Sequence, residues 1–174
     1  IDHFYSKFSH PYLSLSFYNH IPSCKFCNQT YKGTREFSYK THIHPFSNSF
    51  DTLYSFQFSH KLLRESNIEL ISINHHTSIQ ENLCKDLKIL SRYKNNINAA
   101  RLIRLREILD PYSDILASED DYDSGVIERL RERLADFGLV TDGNKILHNQ
   151  FSKFQRDLVK MFDVYNRLNI APPK

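Results

Sequence analysis

A chain of 174 residues, 40 % apolar and 25 % charged, can bury one sizeable core or carry a small module on a helical body, and its composition is that of a soluble globular protein. Four glycines supply no Gly-rich phosphate loop, and a net charge of +3 permits a nucleic-acid partner without arguing for one. Three cysteines in a close pair and a distant single exclude a disulfide framework, and the absence of a signal peptide or a membrane-length apolar run makes the sequence read as cytoplasmic, with no membrane partner.

The chain opens with a short strand end at residues 1–4, which carries Asp2 and His3. Residues 5–12 are polar and aromatic around Pro11 and read as a loop. Residues 13–21 alternate, with Leu13, Leu15 and Phe17 against Ser14, Ser16 and Tyr18, the period-2 pattern of a half-buried strand. Pro22 and Ser23 turn the chain into Cys24-x-x-Cys27, and residues 28–32 fit a short helix stopped by Gly33. Residues 34–63 are loop-like and aromatic, with a strand predicted at residues 53–58. They form an expected layer over the opening motif, drawn from Phe37, His42, His44, Phe46, Phe50, Tyr54 and Phe56. A further strand is predicted at residues 68–73.

The composition changes near Thr77. Ser78 and Glu81 fit a capping box, and Leu83, Leu87, Leu90, Ile97, Leu102, Leu105, Ile108 and Leu109 keep helical spacing, interrupted around Asn95–Asn96 and ended by Pro111. A short turn at residues 115–117 and an acidic connector at residues 119–123 lead to a helix at residues 125–137, stopped by Gly138. A last helix is predicted over residues 149–168. This gives an α+β chain in two parts, residues 1–76 and residues 77–174, the second mainly α-helical.

Hydrolysis of a phosphodiester needs an activated water and charge neutralisation at the phosphate. A histidine supplies the first near neutral pH, and a divalent metal supplies the second as a Lewis acid. Asp2 offers a carboxylate and Asn28 an amide oxygen, the donor types a hard cation prefers. Neighbours on a strand face opposite sides, so Asp2 and His3 need a local bend to serve one phosphate. Cys24 and Cys27 suit a metal better than a redox role, since no βαβ pattern surrounds them.

Taken in order, Asp2-His3, Asn19, Cys24-x-x-Cys27-Asn28 and Lys32 resemble the HNH endonuclease family with its ββα-metal motif. The resemblance implies a metal-dependent endonuclease that hydrolyses DNA, with His3 as general base, Asn19 bracing the loop and orienting it, and Asp2 and Asn28 holding a catalytic Mg²⁺ or Mn²⁺. It implies that Cys24 and Cys27 are half of a structural Zn²⁺ knuckle, whose other two ligands are expected in a Cys-x-x-Cys upstream of Ile1. The usual Gly-Gly after the Asp-His pair is missing, and Ser6 stands where many relatives carry Pro. The segment from Leu15 to Cys24, with Phe151-Ser152-Lys153-Phe154 and Arg156-Asp157-Leu158, is similar to HNH proteins of bacterial antiphage defence systems such as Septu, which implies a partner ATPase.

Lys7, Lys25, Lys32 and Arg35 lie nearest the motif and are the candidate nucleic-acid contacts. The basic run Lys85, Lys88, Arg92, Lys94, Arg101, Arg104 and Arg106 reads first as a solvated helix face. His42 and His44 read as structural or substrate-proximal, His75 and His76 as caps, and Cys84 as core. The alternative to the nuclease is a non-catalytic zinc-knuckle module that binds nucleic acid or docks a partner.

Overall fold

The computed structural model describes residues 1–59, 71–94, 96–120, 124–148 and 151–170. Among them the chain forms seven α-helices and two antiparallel two-stranded sheets, an α+β architecture. It divides into two compact units, each made of two segments: Ile1–Tyr54 with His75–Tyr93, and Ser55–Asn74 with Lys94–Lys174. The chain therefore does not part between residues 76 and 77. The composition change there marks the start of a helix, not the edge of a unit.

In the first unit, β1 (Asp2–His3) pairs with β2 (His20–Ile21), placing Asp2 opposite Ile21 and His3 opposite His20. The strand predicted over residues 13–21 is reduced to its last two residues. Before it the backbone closes 3₁₀ turns at Pro11–Leu13 and Phe17–Asn19, with the N–H groups of Ser14, Ser16 and Asn19 bonded three residues back. A strand needs a partner along its length, and β1 offers two residues, so the remaining backbone groups are satisfied locally. The alternation carries no burial either: Leu15 is 91 % and Phe17 76 % exposed.

After Pro22 a π-helix, Phe26–Lys32, ends at Gly33, whose φ of +55° costs glycine no Cβ clash. Phe4, Phe37, Tyr54, His42 and His44 are buried, and the Phe4 ring lies 4.5 Å from that of His44 and 6.1 Å from that of Phe37. This is part of the expected aromatic layer: Phe46 is exposed, Phe50 is only partly buried, and Phe56 belongs to the second unit. A single turn, α1 (Phe50–Leu53), precedes the departure of the chain to that unit. On its return α2 (Ser78–Asp86) is capped by Thr77, with Gln80 completing the box. The cap lies one residue before the predicted Ser78–Glu81 pair because Thr77 is extended and Ser78 is already helical. Lys88 takes a φ of 48°, which separates α2 from α3 (Ile89–Tyr93).

In the second unit, β3 (Ser55–Phe58) pairs with β4 (Ile71–Asn74), with Phe58 opposite Ile71. Residues 68–70 of the predicted strand lie outside the described residues, as does Asn95 of the predicted helix interruption. α4 (Asn96–Leu109) runs into a 3₁₀ turn, Asp110–Tyr112, which accommodates Pro111 in its first turn, and then α5 (Ser113–Leu116). α6 (Ser124–Asp136) is followed by Gly138 at φ 92°.

α7 (Ser152–Phe162) is the axis of this unit: every residue from Ser152 to Val159 is buried. Phe154 meets the rings of Phe56 and Phe58 at 4.9 and 5.1 Å, and Leu102, Leu105, Leu109, Leu116, Leu130, Leu134 and Leu158 complete the core. Each such burial contributes roughly 1.5–3 kcal/mol. The last helix is shorter than predicted because the Asp163 carboxylate accepts the N–H groups of Arg167 and Leu168 at 2.7 and 2.9 Å and turns the chain out of the helix. No helix among the described residues is long and apolar enough to cross a membrane.

Candidate active site

The β1–β2 pairing sets His3 and His20 side by side. Both rings direct Nε2 at one acceptor, the Ser14 carbonyl, at 3.1 and 2.7 Å, and they stand edge to face 5.0 Å apart. A carbonyl only accepts, so each Nε2 carries the proton and each Nδ1 the lone pair. His3 thus presents Nδ1 as its basic atom, and that atom has no hydrogen-bond partner among the described residues.

Asn19 is 4 % exposed and pins the loop that follows β1. Its Oδ1 accepts the Tyr5 N–H at 2.7 Å, and its Nδ2 donates to the carbonyls of Tyr5 and Leu13 at 3.1 and 3.2 Å. Three bonds from one buried amide fix the path of residues 5–13 and with it the Ser14 carbonyl that orients both imidazoles.

The π-helix contributes Asn28 and Lys32 to the same end of the hairpin. Asn28 Nδ2 donates to the Ile1 carbonyl at 3.1 Å, tying the helix to the start of β1. Lys32 Nζ lies 2.9 Å from Asp2 Oδ1 and also donates to the His3 carbonyl, with side-chain exposures of 7 % for Lys32 and 16 % for Asp2. Lys32 was expected at the nucleic-acid surface. The structure buries it instead, because the last turn of the helix brings its ammonium to the carboxylate that neutralises it.

Asp2 and His3, adjacent on a strand, are committed to partners on different elements. Among the described residues no hydrogen bond joins the side chains of Asp2, His3 and Asn28.

Cys24 is exposed at the entry to the π-helix, and its sulfur accepts the Cys27 N–H at 3.4 Å, which holds the Cys24 thiol below its ordinary range. Burial pushes the Cys27 thiol up, although the Arg92 guanidinium donates to its sulfur at 3.2 Å and lies 5.4 Å from the Tyr31 ring. Among the described residues no three His, Cys, Asp or Glu side chains are grouped to hold a metal. Two thiols make half a tetrahedral zinc site, and His20 is held at Ser14, so these residues do not complete the expected zinc centre. Asp2 and Asn28 do offer the oxygen donors of a hard divalent ion that keeps most of its waters. Any such ion competes with Lys32 for Asp2 Oδ1, whereas Oδ2 has no hydrogen-bond partner among the described residues.

Of the other candidate contacts, Lys7 and Lys25 are exposed. Arg35 is half-exposed and reaches Asp86 at 3.5 Å and the Lys32 carbonyl at 3.3 Å. His42 stacks on Phe37 at 3.6 Å and meets Asp86 Oδ2 at 3.1 Å, and burial draws it below its ordinary value. His44 reaches the Tyr18 carbonyl at 3.0 Å. Both are buried packing groups. Cys84 is part-buried, with its thiol pushed up to about 11 by burial.

Sequence reasoning missed the exposed rings around the hairpin: Phe8, Tyr12, Phe17 and Tyr18 all stand in solvent. Phe17 and Tyr18 lie in the alternation that imitates a strand, and only the local turns reveal that they face outward. No family model matches the chain, and neither does a curated protein or a solved structure.

Proposed function

We propose that the chain is a metal-dependent HNH endonuclease that hydrolyses DNA phosphodiester bonds. The observation that carries this reading is the pair of hydrogen bonds to the Ser14 carbonyl, which leaves His3 Nδ1 as an oriented base beside a hairpin and a helix that bear Asp2 and Asn28. In the proposed reaction a water attacks phosphorus, its proton passes to His3 Nδ1, the bond from phosphorus to the leaving sugar oxygen breaks, and that oxygen takes a proton from a second water. Asn19 acts as a positioning residue through the loop and the Ser14 carbonyl. Asp2 and Asn28 would hold a divalent ion, which would supply charge neutralisation at the phosphate. Lys7 and Lys25 are exposed cations of the opening segment that would meet phosphates, and the neighbouring exposed rings offer faces on which bases stack. On the sequence resemblance alone, the chain is the nuclease effector of a bacterial antiphage defence complex that works in the cytoplasm with a partner ATPase.

Plasmid cleavage with Mg²⁺ or Mn²⁺ tests this. His3→Ala is expected to lower the cleavage rate by about 10²–10⁴-fold, the contribution of a positioned general base. Cleavage by His3→Ala at the wild-type rate rejects His3 as the base.

The Lys32–Asp2 ion pair favours a second reading, in which Asp2 is structural and the module binds nucleic acid or a partner without cutting. That reading requires DNA binding without cleavage and an Asp2→Ala protein that binds as well as the wild type.

A further inference from the structure

The second unit holds a groove of ≈ 1080 Å³ between α4 and α6, floored by α7. We propose that it is a nucleotide-binding site. This inference concerns the helical unit alone and does not depend on the nuclease reading.

Three kinds of chemistry meet there. The first is cationic. Arg101 and Arg104 are one turn apart on α4, and Arg133 joins them from α6. Guanidinium groups bind phosphate through paired N–H donors. Among the described residues Arg104 has no ion-pair or hydrogen-bond partner, and Arg101 is held only by the face of Phe151, 5.4 Å from its ring centre. By contrast, Arg106 pairs with Asp110 at 3.0 Å and Arg131 with Glu128 at 2.9 Å. Arg101 and Arg104 thus keep guanidinium donors available, while Arg133 has a long bond to the Tyr112 hydroxyl at 3.5 Å.

The second is a set of acceptors. Glu107 and Asp136 line the same groove, and neither forms an ion pair among the described residues. Gln155 enters from α7, is 5 % exposed, and its amide oxygen is buried with no donor among the described residues. A buried amide oxygen without a donor is costly, so a ligand that donates to it regains a missing bond. The third is an apolar wall, Ile108 and Phe137.

A simple polyanion would use only the arginines, and the two carboxylates would repel it. A nucleotide uses all three groups. Its phosphates meet guanidinium groups, its ribose hydroxyls and base N–H groups donate to carboxylate and amide oxygens, and its base lies against Phe137. The volume is ample for one nucleotide unit. The ligand is either a free nucleoside polyphosphate or the 5′-phosphorylated end of a strand, since both present the same chemistry.

The test is calorimetric titration of the His3→Ala protein, which removes the proposed cleavage, with each ribonucleoside triphosphate, a 5′-phosphorylated oligonucleotide and inorganic tripolyphosphate. A nucleoside triphosphate or the oligonucleotide is expected to saturate one site and to bind more tightly than tripolyphosphate; whichever of the two binds more tightly identifies the source. Arg101→Ala and Arg104→Ala, at exposed positions, should each weaken that binding about ten- to hundredfold. Gln155→Met should weaken nucleotide binding and leave tripolyphosphate binding unchanged. No saturation by any nucleotide at millimolar concentration, equal affinity for tripolyphosphate, or undiminished binding by both arginine variants overturns the proposal.

Discussion

Among the described residues each unit holds a largely buried lysine–aspartate pair, and the two pairs are built differently. In the helical unit Lys153 and Asp157 sit one turn apart on α7 and meet at 2.8 Å, and the second carboxylate oxygen accepts the Phe56 N–H, also at 2.8 Å. Burial pushes the Asp157 carboxyl up, and Lys153 and the Phe56 amide oppose that shift. Both oxygens have donors, so the pair acts as a strut between α7 and β3. In the opening unit Lys32 and Asp2 meet across thirty residues of sequence at 2.9 Å, and Asp2 keeps one oxygen without a hydrogen bond among the described residues. Asp157 has a donor on each oxygen and a side chain only 4 % exposed, so a ligand has little access to it; Asp2, 16 % exposed with one oxygen unbonded among the described residues, leaves more room for the proposed ion.

The largest effect expected from this contrast is at the strut. Asp157→Ala removes the carboxylate that pairs with the buried Lys153 ammonium and accepts the Phe56 N–H, so it should destabilise the protein by about 3–5 kcal/mol, read as a fall in the urea midpoint. An unchanged midpoint would mean that the two pairs are equivalent. Lys32→Met should cost less, about 1–3 kcal/mol, because Asp2 retains some solvent. It should also make Mn²⁺ binding tighter than in the wild type, since no ammonium then competes for Oδ1. Weaker Mn²⁺ binding would show that Lys32 organises the site and does not compete for it.

The smallest effect is at His42. Burial holds its folded value below 6.5, so the folded state takes up fewer protons than the unfolded chain. Its stabilising contribution is complete above pH 6.5 and is lost as pH falls through the folded value. Denaturation at pH 7.5 and pH 5 should show a loss on acidification that His42→Gln reduces, while the Lys153–Asp157 strut is indifferent to that substitution.

Local signals in the sequence located the helix stops. Gly33 and Gly138 end their helices as read, and Pro111 falls between α4 and α5. The hydrophobic spacing on α6 also marks its buried face, Ile127, Leu130 and Leu134. Alternation misled where no partner strand existed, at Leu15 and Phe17. The long apolar run ending at Leu109 hid a break at Lys88, because periodicity counts residues and does not detect a single left-handed φ.

At the candidate site Asp2, His3, Asn19 and Asn28 are singled out by the resemblance of their order to the HNH motif, which sequence carries because residue type and order are local facts. Only the tertiary structure decided which atom each one offers. The shared Ser14 carbonyl selects the histidine tautomer, Lys32 takes one Asp2 oxygen, and three helices of the second unit bring Arg101, Arg104, Arg133 and Gln155 to one groove. Hydrogen bonds and ion pairs between residues far apart in the chain depend on where the fold puts them, and no spacing rule carries that information.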